Sequence, residues 1–169
     1  MAVLTINRPI FTELGPKAIE KGIADPKLSL FYENMMSSSG IVTEKMRDFM
    51  PYLSLCSDKL ENCGPPPIFY VGRRSSQRLL FGDDWAHQQG EALRTPDPEL
   101  EFASADGYRA ALAGKPYYGY ARTTLHFQGA SVDIAFERLI LTLKPSPHSN
   151  RRFCTYFGVI QDLHRLRQE

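Results

Sequence analysis

The chain has 169 residues, 43% of them hydrophobic, and its 20 Lys+Arg against 19 Asp+Glu leave a formal charge of +1. That length and composition support one packed core without a disulfide or metal staple, and they exclude wholesale disorder and collagen-like or coiled-coil structure. The balanced charge gives no drive toward nucleic acid, and no apolar run reaches the roughly 18 residues that a membrane helix requires.

Residues 1–27 carry Pro9, Gly15, Pro16, Gly22 and Pro26. This is too much punctuation for a long element, so they read as an arm holding one short helix at 16–21. Asp25-Pro26 opens a clearer helix with Leu28, Leu30, Phe31, Met35 and Met36 along it, and Ser37-Ser38-Ser39-Gly40 ends it. A further helix starts after Thr43, with Met46, Phe49 and Met50 on one side, and Pro51 ends or turns it. Residues 53–57 then suit a short strand, and Asn62 to Pro67 form a loop. Ile68-Phe69-Tyr70-Val71-Gly72 is a strand rich in aromatic and β-branched residues. Ser75 to Phe81 suits a short helix closed by Gly82, and Asp83-Asp84-Trp85-Ala86 starts a new turn.

Between residues 83 and 106 seven acids face one base, Arg94. Such a segment reads first as a solvated loop and second as a docking surface for a basic partner. Residues 102–113 form a helix stopped by Gly114. The last third then changes period, with strand-like runs at 117–127, 132–143 and 153–160 joined by short links, which predicts an antiparallel meander. Helices followed by adjacent strands indicate an α+β fold. Residues 161–169 suit a helix leaving the last strand.

Cys56, Cys63 and Cys154 lack the close spacing of a zinc site, and His87, His126, His148 and His164 stand singly. Free structural thiols and a reducing, cytoplasmic compartment are expected, and a Cys56–Cys63 redox pair has no supporting motif. The N-terminus has no signal-peptide pattern. Glycine-rich phosphate cradles and the Gly-x-Ser-x-Gly nucleophile motif are absent from the sequence. His87 with Asp83, Asp84 and Glu91 reads as exposed loop residues, and His126 with Asp133 as a surface pair across a turn. On the strand at 132–143, period two places Val132, Ile134, Phe136, Arg138 and Ile140 on one face. An arginine on an apolar face is costly unless paired, so either a bulge flips the register, or a nearby acid neutralises Arg138, or it is held for an anionic ligand.

Arg73-Arg74-Ser75-Ser76-Gln77-Arg78-Leu79-Leu80-Phe81-Gly82-Asp83-Asp84-Trp85 resembles the short helix and leucine-leucine-glycine turn of PAS sensor domains. Residues 158–169 look like the last PAS strand running into an exit helix, with Asp162-Leu163-His164 where the family typically has Asp-Ile-Thr. Residues 136–143 resemble the penultimate strand of bacterial PAS-like proteins, in which a helical lead-in such as 28–57 precedes the sheet. The resemblance covers residues 28–169, leaving 1–27 as an N-terminal arm. It implies a five-stranded antiparallel sheet with short helices on one face, N-terminal helices and a small apolar cavity.

It further implies a stand-alone, non-catalytic sensor or adaptor that binds a small molecule or a partner protein and signals in trans. No cysteine lies in the 73–85 segment, near which flavin-binding light sensors carry their reactive one. No anchor for flavin or haem is found, so no cofactor and no metal is expected. Arg138 is the candidate anchor for a small anionic ligand, with Tyr118, Tyr120 and His126, which share a face of the neighbouring strand, as companions if that face also points inward, and Trp85 closing the pocket. Leu28, Phe31, Met35 and Met36, a large apolar set on a helix near the N-terminus, predict a homodimer. An alternative is a small cone-shaped α+β enzyme of the steroid-isomerase or nuclear-transport-factor kind, with Asp133, His126 and Tyr120 as acid–base groups in one pocket. A third reading is an interaction module whose cavity is filled by its own side chains.

Overall fold

The computed structural model describes residues 9–61, 64–88 and 93–166. A strand, β1 (Ile10–Glu13), and two helices, α1 (Pro16–Glu20) and α2 (Pro26–Ser37), open it. Pro26 takes the first turn of α2, where its missing N–H costs nothing, and the Asp25 carboxylate accepts the amides of Lys27 and Leu28 at 2.9 and 3.3 Å. Residues 44–48 and 50–52 are 3-10 turns rather than the α-helix expected there. Strands β2 (Leu53–Cys56) and β3 (Ile68–Val71) follow, then helices α3 (Ser76–Ala86) and α4 (Pro98–Leu112). Gly82, at φ 87°, breaks α3 where the sequence placed its stop. Asp97 caps α4 through the Leu100 amide, so the helix starts four residues earlier than expected.

Strands β4 (Tyr117–Phe127), β5 (Ala130–Leu143) and β6 (Phe153–Arg165) complete one antiparallel sheet in the order β1-β4-β5-β6-β2-β3. The fold is α+β. The five strands read from the sequence are all present, and β1 from the arm adds a sixth by pairing with Gly119 to Arg122. One expectation needs correction. The last strand runs on to Arg165 instead of turning into a helix at 161, because residues 162–165 stay paired with Val132 to Ala135. Helices α3 and α4 lie on one face of the sheet, and the N-terminal helices α1 and α2 cover the other.

On one face α1, α2 and the 3-10 turns bury Leu28, Phe31, Met35, Leu139, Leu141 and Phe157. On the other, α3 and α4 bury Phe81, Trp85, Tyr108, Phe136, Ile140 and Tyr156. Leu28, Phe31 and Met35 are wholly buried against the protein's own sheet, so they offer no apolar set for the dimer contact expected of that helix. Met36 is half-buried and Leu30 exposed.

Cys56 and Cys154 are free, buried thiols directly opposite one another on β2 and β6. Cys63 lies outside the described residues. Burial pushes the Cys56 thiol up to about 12 and that of Cys154 to about 11, from 9.0. Burial likewise raises the phenols of Tyr108, Tyr118 and Tyr156. Each group holds its proton longer folded than unfolded, so its stabilisation is complete below about 9 and is lost as the pH rises toward the folded values. The melting temperature should therefore fall steadily from about pH 9 to about pH 11, and less steeply in a Cys56→Ala variant. Scanning calorimetry across that range checks this, and a flat profile contradicts it.

Candidate functional site

Arg138 is buried, as its place on the Ile134–Phe136–Ile140 face predicted. No carboxylate among the described residues pairs with it. Its Nη1 donates to Ser104 Oγ (2.9 Å) and its Nη2 to the Ala103 carbonyl (3.3 Å), both on α4. The rings of Phe11, Tyr117 and Phe136 lie 5.6–5.8 Å from the guanidinium carbon. These aromatic faces replace an acid as the charge's surroundings. The positive charge of Arg138 also opposes the burial that raises the Tyr156 phenol. Arg138 thus clamps α4 to the sheet. Nearby voids lined by Gln77, Thr95 and Ser104 measure about 10 Å³ each, room for no more than one water.

The companions expected for Arg138 lie elsewhere. Register puts Gly119 opposite Arg138, while Tyr118 faces Leu139 and Tyr120 faces Glu137 on the other side of the sheet. Tyr118 donates to Glu137 Oε2 at 3.0 Å. His126 is exposed, its ring against Ser131 Oγ (2.9 Å) and its amide donating to the buried Asp97 carboxylate. Asp133 is engaged by Thr124 Oγ1 at 2.5 Å. Tyr120 stands six positions from His126 on β4, about 20 Å at the rise of a strand, so Asp133, His126 and Tyr120 do not share a pocket. The Trp85 indole donates to the Arg94 carbonyl (2.9 Å) and packs edge-on against Phe81. The acidic segment is partly spent inside the fold, since Asp83 pairs with Arg78 and Glu101 with Arg94. Glu91 lies outside the described residues.

Two arrangements were not foreseen. Glu137 is a buried carboxylate on the α2 side of the sheet, accepting the Asp25 amide (2.6 Å), the Tyr118 hydroxyl and the Gln161 side-chain amide (3.0 Å each). Period two on β5 signals it as clearly as it does Arg138, because Glu137 shares a face with Leu139, Leu141 and Leu143.

The second is an open groove of about 1020 Å³ where α2, the 3-10 turns and the start of α3 meet β6. Its apolar lining includes Leu30, Phe49, Leu79, Phe157 and Ile160; Lys27, Lys45 and Arg74 supply positive charge, and Asp25, occupied in capping α2, and Asp48 supply negative charge. Lys27 Nζ and Arg74 Nη1 converge on the Tyr52 hydroxyl at 2.8 and 3.4 Å. The ammonium also sits 4.0 Å from the centre of the Tyr52 ring, which stacks on Phe157 at 6.1 Å. Hydrogen bonds from Lys27 first and Arg74 second hold the Tyr52 phenol below its ordinary range, the direction that converging positive charge imposes. Among the described residues, Lys27, Lys45 and Arg74 form no ion pair. The groove residues come from separate segments with no common motif, which kept the groove out of view in the sequence. Such an arrangement suits an anion with an apolar body: cationic donors for the head and a hydrophobic wall for the rest. No family model, no curated protein and no solved structure matches the chain.

Proposed function

We propose that this chain is a PAS-like sensory or adaptor domain, non-catalytic and cytoplasmic, that holds a small anionic amphiphile in the groove between α2, α3 and β6. It passes that occupancy to a signalling partner. Strands from before and after the middle helices share one antiparallel sheet, as the PAS reading requires. The observation that carries the ligand class is the convergence of Lys27 and Arg74, unpaired by any described carboxylate, beside an apolar wall. Inorganic phosphate satisfies the cations but not the wall, whereas a chain or ring bearing one carboxylate satisfies both. The route to a signal is short. The groove runs beside the start of α2, which is tied to the sheet through the Asp25 amide and Glu137, so a bound ligand bears on that tie.

Calorimetry with straight-chain carboxylates of roughly 8–12 carbons, and with the matching alcohols, tests this reading. The carboxylates should bind about tenfold more tightly than the alcohols, a ratio that allows for solvent screening of exposed cations. A Lys27→Ala/Arg74→Ala variant should lose that preference while its melting temperature stays within a few degrees of wild type. Equal affinity for acid and alcohol, or no binding of either, overturns it.

A further inference from the structure

Sheet edges present unpaired N–H and C=O groups, and proteins blunt them with short strands, proline or lysine. Both outer strands here are blunted: β1 and β3 are four residues each, preceded by Pro9 and by Pro65-Pro66-Pro67. A third edge is not. On the side away from β5, β6 pairs with β2 only from Cys154 to Phe157, yet it continues to Arg165. Residues 158–165 therefore have one edge that no described strand covers. Gly158 to Ile160 are sheltered within the groove, but residues 161–166 are exposed, with Leu163 and Leu166 more than 40% accessible. The stretch contains neither proline nor lysine. The Leu166 amide points inward to the Ser131 carbonyl (2.9 Å), so by the alternation of a strand the backbone groups of Leu163 and Arg165 point outward.

We infer that this edge of β6 is a homotypic interface, on which a second copy of the chain adds its own β6 antiparallel to form a two-fold dimer with a continuous sheet. The side chains are self-complementary in the register centred on Leu163. Each Asp162 then faces the second copy's His164, the two Leu163 side chains meet on the axis, Gln161, where the register to β5 shifts, comes opposite Arg165, and no like charges meet directly. Within one chain Asp162 and His164 already lie together on one face, at 2.9 Å, so both are placed to meet their counterparts. Outward amides at Leu163 and Arg165 supply the backbone bonds such a pairing needs.

Sedimentation analysis of the full chain tests this interface with four proteins. Wild type should be a concentration-dependent dimer. Leu163→Pro, which removes an outward N–H and leaves the β5 ladder intact, should be a folded monomer. Asp162→Lys, which sets a cation against His164, should weaken the dimer about tenfold through its two symmetric contacts. The exchanged pair Asp162→Lys/His164→Asp should restore it, and an unchanged melting temperature of the dilute monomer in both variants separates the contact between copies from the pairing of Asp162 and His164 within one strand. Because Asp162→Lys alters only exposed charge, it keeps the test decisive should the proline variant fail to fold. Carboxylate binding in the groove should persist in all the folded variants, so failure of this interface is separable from failure of the ligand reading. A wild type that stays monomeric at about 0.1 mM overturns the inference, leaving the edge for a different chain. A dimer indifferent to both Leu163→Pro and Asp162→Lys overturns it equally.

Discussion

Replacing Gly72 by alanine is expected to cost about 3 kcal/mol or more, the upper end of what overpacking does, and to lower the melting temperature by roughly 6–12 °C. Gly72 follows β3 and donates its amide to the Leu53 carbonyl at 2.8 Å, while its own carbonyl accepts from Ser75. A Cβ there would lie 2.4 Å from the carbonyl oxygens of both Met50 and Pro51. Those atoms are backbone, and Pro51 O is itself held by the Arg74 amide at 2.7 Å, so no side-chain rotation relieves the contact. The 3-10 turn at 50–52 would have to move, carrying Tyr52 and with it the point on which Lys27 and Arg74 converge. Denaturant unfolding measures the loss of stability, and carboxylate affinity should fall with it. An alanine variant as stable as wild type contradicts this packing.

A second large effect is expected at Glu137. Its carboxylate serves three donors at once, two of them from Asp25 and the buried Tyr118. Glu137→Ala strands those donors and opens a void among leucines, which should cost on the order of 3 kcal/mol. Glu137→Gln should cost less, because its single amide oxygen still accepts from some of the donors while its NH₂ meets others. The order wild type, glutamine, alanine in chemical denaturation is the expected result. Glutamine and alanine variants of equal stability would mean that the site is governed by volume and not by hydrogen bonding. Since the Asp25 amide anchors the first turn of α2, hydrogen exchange at residues 27–30 should accelerate in the alanine variant.

Much of the sheet was legible because its signals are local. β4, β5 and β6 are long and strongly alternating, and Gly82 stops the first part of α3 through a conformation that its own residue type favours. What sequence reading missed depends on distant partners. β1 is four exposed residues between Pro9 and Gly15, and only its pairing with β4 makes it a strand. Residues 161–165 carry helix-compatible side chains, but the opposite half of β5 holds them extended. At the candidate site, period two identified Arg138 as inward-facing. The parity of the neighbouring strand is not available without register, which leaves the face of Tyr118 and Tyr120 open in the sequence; the register puts both on the face opposite to that of Arg138. The groove has no periodic signature at all. Lys27, Tyr52, Arg74 and Phe157 are each ordinary in their own segments and acquire meaning only when folded together.

The central claim is that ligand binds in this groove and not beneath α3 and α4. It is tested most directly by an amide-resolved NMR titration of the isotopically labelled protein with decanoate. Saturable shifts concentrated at Lys27, Leu30, Tyr52, Leu79 and Val159, and absent in Lys27→Ala/Arg74→Ala, are the predicted result. Shifts centred on Arg138, Ser104 and Tyr156 would contradict it by placing the ligand on the opposite face of the sheet, and a spectrum unchanged by decanoate would remove the groove from the account.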